Sequence, residues 1–205
     1  MLEGLQQIDW SSLSHAYGQA GDVPDLIQGL LDSEPQRRHE RLSLLYETIW
    51  HQGTIYEASA YAVPFLFELL RSPATPDKSM IAMLLADLAD GAHPLELYTD
   101  PADKMSQLVR KGLENEGRDY EVEVKAGKAW ERATRAAVGE GLDALIEYLD
   151  DEEPEVRATV AKAFSRFPER AGDFLPRLEA ALKSERHDYV REALEATLSL
   201  LNQYL

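Results

Sequence analysis

The sequence predicts an all-α fold: a right-handed α-solenoid of about four helical hairpins, with an N-terminal capping helix and an irregular helical insert between the second and third hairpins. Three observations carry this expectation. Val156-Arg157 recurs 34 residues later as Val190-Arg191, and each pair opens an amphipathic helix behind a shorter apolar one. A period of that length with two helices per unit is the signature of stacked hairpins. The apolar series Val156, Val160, Phe164, Phe167 and Val190, Leu194, Leu198, Leu201 step identically, by four, four and three. Upstream, Val23-Pro24-Asp25-Leu26 and Val63-Pro64-Phe65-Leu66 repeat 40 residues apart.

In chain order, residues 1–21 form the N-terminal cap. Asp9 is placed to cap a short helix over residues 10 to about 17, stopped at Gly18, with Trp10 and Leu13 closing the open end of the stack. Residues 22–91 hold units one and two. Unit one opens at Asp22-Val23-Pro24, where a proline in the first turn wastes no N–H. Val23, Leu26, Ile27, Leu30 and Leu31 form its first stripe, and Leu42, Leu45, Tyr46 and Ile49 its second. Unit two follows the same plan: Val63, Leu66, Leu69 and Leu70, a Pro-rich turn, then Met80, Ile81, Leu84, Leu85 and Leu88, with Gly91 as its stop. Residues 92–139 break the repeat. His93-Pro94 and Asp100-Pro101 interrupt helices, a short helix is expected over 102–114, and a longer one over about 120–138 with Val124, Trp130, Ala133 and Ala137 facing inward. Residues 140–205 return to the repeat as units three and four. The whole, 1–205, is expected to be a single domain.

The net charge of −16 is the outstanding bulk property. It opposes binding to DNA, RNA or anionic lipid, which requires phosphates to be neutralised by Lys and Arg. It favours fast encounter with a basic protein, and also serves plain solubility. With no cysteine, disulfides and thiolate metal sites are excluded. The N-terminus lacks a signal peptide's basic start and apolar run, and no stretch approaches a membrane span. The expectation is a cytoplasmic monomer that binds neither nucleic acid nor membrane.

Candidate functional residues fall in three places. His51-Gln52-Gly53-Thr54-Ile55-Tyr56 gathers polar groups at one turn. His51 and Tyr56 could bind a ligand, or the segment could simply satisfy helix-end backbone groups. The second helices should expose acids, Glu47, Asp87 and Asp90 among them. Between residues 140 and 156 stand eight acids and no base, including Asp150, Asp151, Glu152 and Glu153. This run lacks the alternating ligands and central glycine of an EF-hand, so a solvated turn or a dock for a basic surface is expected, without metal. The five histidines show no pair at ligand spacing, and no phosphate loop, dinucleotide fingerprint or nucleophile elbow is present. No catalytic residue and no cofactor are expected. Arg157 and Arg191 are expected to tie acidic turns into the stack: Asp150 and Asp151 for one, Glu185 and Asp188 for the other.

The apolar first helix, the turn Leu149-Asp150-Asp151-Glu152-Glu153-Pro154 and the following Val156-Arg157 resemble HEAT repeats. The resemblance covers units three and four well and units one and two in part, and the middle segment departs from it. Trp10, Ala16-Tyr17-Gly18, Val23-Pro24, the segment from Ile49 through Tyr56, and Ala62-Val63-Pro64-Phe65 together resemble a group of small bacterial HEAT-repeat proteins. Some α-solenoids of this kind are immunity proteins of bacterial toxin systems. The resemblance therefore implies a non-catalytic module that blocks a basic toxin or effector domain. A DNA mimic is a variant of the same idea. HEAT-like folds also include bilin lyases and DNA glycosylases; the acidity opposes the latter, whose DNA needs a basic groove.

Overall fold

The computed structural model describes residues 1–204. Its helices are α1 (Val23–Gly29), α2 (Pro35–Ile49), α3 (Glu57–Arg71), α4 (Lys78–Asp90), α5 (Lys104–Asn115), α6 (Tyr120–Gly139), α7 (Leu142–Leu145), α8 (Pro154–Ala163), α9 (Ala171–Ser184) and α10 (Asp188–Leu201). Hairpins α1–α2, α3–α4 and α9–α10 pack internally, and α8 packs on the 3₁₀ turn Ile146–Asp150 that extends α7. Second helices then stack sideways: α4 on α8, and α8 on α10. Buried apolar residues form one continuous cluster from Leu2 to Leu201. The 4-4-3 series is its spine, with Val156, Val160, Phe164 and Phe167 all buried, as are Val190, Leu194, Leu198 and Leu201. The fold is the all-α, solenoid-like stack that the repeat predicts.

Four local expectations are corrected. First, residues 10–17 are not a helix. A 3₁₀ turn, Trp10–Ser12, leads into a two-stranded hairpin of β1 (Ser14–His15) and β2 (Gly18–Gln19). Its backbone is committed outward: Ala16 N–H donates to the Thr48 carbonyl at 3.0 Å, at the end of α2. The Asp9 side chain caps nothing, although Trp10 and Leu13 are buried as expected. Second, the turn after α2 is itself a hairpin, β3 (Trp50–His51) with β4 (Thr54–Ile55). Its central residues Gln52 and Gly53 have φ of 51° and 89°, the left-handed geometry that suits a two-residue hairpin turn.

Third, Pro64 does not open a helix. It lies in the middle of α3, facing solvent, while Ala62, Val63, Phe65, Leu66, Phe67, Leu69 and Leu70 are buried around it. Burial of that face outweighs the roughly 3 kcal/mol cost of an interior proline. Fourth, the inner face of the insert's long helix differs from the one expected. Helix α6 lies along α3 and against α4. Its buried residues are Tyr120, Gly127, Thr134 and Val138, with Trp130 and Ala137 packed on the core, whereas Ala133 is exposed.

Two glycines let these layers close. A Cβ at Gly91 would lie 2.3 Å from Ile55 Cγ2, where Ala92 joins β4 through Ile55 N–H at 2.8 Å. A Cβ at Gly141 would lie 2.3 Å from the Phe67 ring.

Candidate functional site

The two edges of the stack carry different chemistry. At the edge where each first helix turns into its second, an arginine ladder joins the units. Arg157 donates bidentately to Glu185 of the next unit, Nε at 2.7 Å and Nη2 at 3.1 Å, and through Nη1 to the carbonyls of Asp151 and Glu152 in its own turn. Both side chains are nearly buried, at 13% and 6% exposure. The guanidinium holds the Glu185 carboxyl down to about 2, helped by N–H donors from Arg186 and His187. Arg191 grips its own turn similarly, at the Leu182 and Glu185 carbonyls, but reaches only Glu195 on its own helix. The carboxylate for Arg157 is thus Glu185, not Asp150 or Asp151, and Arg191 pairs with neither Glu185 nor Asp188.

Unit one has the same device. Arg38 Nη1 donates to the carbonyls of Asp32 and Ser33, and Nε to Asp77 of unit two at 2.6 Å. Asp32-Ser33-Glu34-Pro35-x-x-Arg38 therefore matches Asp151-Glu152-Glu153-Pro154-x-x-Arg157, with Arg37-Arg38 standing where units three and four have Val-Arg. Unit two has Ile81 in that position, and Ser79 supplies the link instead, donating to Asp151 at 2.6 Å.

The ladder sorts the acids. Asp150 pairs with Arg177, Asp143 with Arg71, and Asp151 accepts from Ser79 and from Glu153 N–H. Glu140, Glu147, Glu152, Glu153 and Glu155 are exposed and have no ion-pair partner among the described residues. On the second helices, Glu47 is exposed as expected, but Asp87 and Asp90 are not free acids. Asp87 is half-buried and accepts from Tyr46 Oη at 3.0 Å, while its carbonyl accepts from Trp50 Nε1 at 3.0 Å. Burial pushes the Asp87 carboxyl up to about 6, with Asp90 and Glu155 adding to the rise against the hydrogen bond from Tyr46 and the charge of Lys162. Asp90 is bound by Lys162 of α8 and by Arg166 of the 3₁₀ turn that follows it. Both acids cross-brace neighbouring units because α2, α4 and α8 present them to one another.

At the opposite edge the β1–β2 hairpin, Tyr56 and the insert line an open cleft of about 520 Å³. Its walls include His15, Tyr56, His93, Arg118, Glu123 and Trp130. His15 Nδ1 accepts from Tyr17 N–H, so Nε2 donates to Asp22 at 2.9 Å. Tyr56 Oη lies 2.9 Å from Thr54 Oγ1, which donates to the His51 carbonyl, and burial raises the Tyr56 hydroxyl above its ordinary value. Arg118 clamps Glu123 through two hydrogen bonds of 3.0 and 2.8 Å, holding that carboxyl below its ordinary range. His51 is not in the cleft; it meets Tyr17, ring to edge, with centroids 5.5 Å apart. Of the polar turn, then, only Tyr56 reaches the cleft. His15, His93 and Arg118 are drawn from distant segments, and no spacing in the sequence marks them as neighbours.

The HEAT repeats family model matches residues 106–199. No curated protein matches the chain. With the stacked hairpins, the chain is a helical repeat protein that is similar to HEAT repeats over that segment. The match begins inside α5 and includes α6, so it takes in residues 106–139 of the expected insert and leaves 92–105 outside. Among the described residues no helix is long and apolar enough to cross a membrane.

Proposed function

We propose that the chain is a non-catalytic protein-binding module that docks a basic partner surface through the carboxylates flanking the turn into α8. One observation carries this reading. Of the eight acids between residues 140 and 156, three are engaged by neighbours, while Glu140, Glu147, Glu152, Glu153 and Glu155 project unpaired among the described residues. Solenoid repeats of this type commonly serve as interaction scaffolds, because exposed positions vary without disturbing the core. A net charge of −16 adds long-range steering toward a cation-rich target. In its sharper form, the reading is a monomeric cytoplasmic immunity-type protein that covers the basic active surface of a toxin or effector domain.

The test is affinity capture with the immobilised chain from cells co-expressing the neighbouring genes, at low and at high salt. A basic protein retained at low salt and released at high salt is expected. Retention of duplex DNA at low salt, or no protein captured under either condition, would overturn the reading.

A further inference from the structure

We propose that His93, Glu96 and Glu131 form a binding site for a divalent transition-metal cation, with zinc the best fit. The segment that follows α4 is held to α6 at two points. Glu131 Oε1 accepts from His93 N–H at 2.7 Å, and Tyr120 Oη donates to the Tyr98 carbonyl at 2.9 Å at the far end of the 3₁₀ turn Pro94–Tyr98. Between these ties, one donor atom each from His93, Glu96 and Glu131 lie within 4.8 Å of one another.

A second observation points to a ligand. His93 is 1% exposed, and its Nε2 is buried with no hydrogen-bond partner. A buried polar nitrogen left unpaired is costly, on the order of 1–3 kcal/mol, and native structures rarely retain one without a purpose. The backbone of α6 also makes room for the ring: a Cβ at Gly127 would come within 2.6 to 2.7 Å of His93 Cγ, Cβ and Nδ1. Gly127 lies one turn before Glu131 on α6, so the residue that admits the imidazole and the residue that supplies a carboxylate share a helix face.

The donor set fixes the class of ion. One imidazole and two carboxylates suit zinc and its first-row neighbours rather than magnesium or calcium, which favour all-oxygen shells. Zinc bonds of about 2.0–2.2 Å place tetrahedral ligand atoms about 3.3 Å apart. The side chain of Glu96, which is exposed, can swing to close the present spacing. Three protein donors leave the fourth position to water or to a partner's side chain.

The probe is zinc itself, titrated calorimetrically into the EDTA-treated 205-residue chain, with cobalt(II) absorption as a second readout. One saturating equivalent is expected, with a cobalt spectrum of low-symmetry nitrogen and oxygen ligation. Glu96→Gln, which alters an exposed side chain, is expected to weaken zinc at least about ten-fold, and Glu131→Gln likewise. His93→Gln should abolish the cobalt spectrum; if that variant does not fold, Glu96→Gln decides alone. No saturable binding, or equal binding by the wild type and Glu96→Gln, would overturn the proposal, since scattered surface carboxylates would then account for any zinc retained.

Discussion

Arg157 and Asp87 show how much single residues in this stack depend on what surrounds them. Arg157 bridges two turns with both charges nearly buried, so removing it leaves Glu185 without a counter-charge and with only the Arg186 and His187 N–H donors. Arg157→Ala is expected to cost about 3–5 kcal/mol, and Arg157→Lys, which cannot reproduce the fork, somewhat less; chemical denaturation measures both. Glu185 has a folded value of about 2, below its ordinary 4.5. Its contribution is therefore complete above about pH 4.5 and is lost as pH falls toward 2. The stability gap between the wild type and Glu185→Gln should close over that interval. Asp87 has the opposite sign. Its value rises from 3.8 to about 6, so ionisation opposes folding and stability falls as pH rises from about 4 to 6. Asp87→Asn, which still accepts from Tyr46, should be more stable than the wild type at pH 7–8 and no more stable below pH 4.

At the scale of elements, close approach and periodicity decide what forms. Gly141→Ala would press a methyl onto the Phe67 ring at 2.3 Å and is expected to cost about 1–3 kcal/mol or more. Gly112→Ala, inside α5 with nothing within 4 Å, should instead stabilise by about 0.5–1 kcal/mol. Thermal melts of the two variants check the contrast. Helices α8 and α10 were legible because their 4-4-3 apolar stepping is also their burial. The two β-hairpins were not. Each is two residues per strand, too short to alternate, and each exists because its backbone satisfies neighbours such as Thr48 and Ala92 that only the tertiary fold supplies. Pro64 misled for a related reason: local preference placed it at a helix start, and the burial of Phe65 through Leu70 carried the helix past it. The unit-one ladder residue Arg38 is legible in the Arg37-Arg38 pair that stands there in place of Val-Arg, behind the same Asp-x-Glu-Pro-x-x-Arg turn. His93 and Glu131, 38 residues apart, share no pattern that periodicity could expose.

At the scale of the molecule, the core runs unbroken from Leu2 to Leu201, with α6 bridging what the sequence presents as a gap. Stability in such a stack comes from neighbour interfaces, so units should unfold together rather than as two halves; coincident transitions by far-UV and tryptophan signals are expected, and two separated transitions would divide the molecule. The division of labour between buried and free acids is the centre of the account. Ladder acids such as Glu185 hold the scaffold, and in the proposed function unpaired, exposed acids such as Glu152, Glu153 and Glu155 meet the partner. The most direct measurement is capture by the charge-reversed variant Glu152→Lys, Glu153→Lys, Glu155→Lys beside the wild type, with melting temperature recorded for both. The account expects the basic protein held by the wild type to be lost while the variant stays folded, its melting temperature lowered by only about a few degrees because lysines oppose the dipole at the N-terminus of α8. Capture of the same partner at undiminished strength by the reversed variant would contradict it.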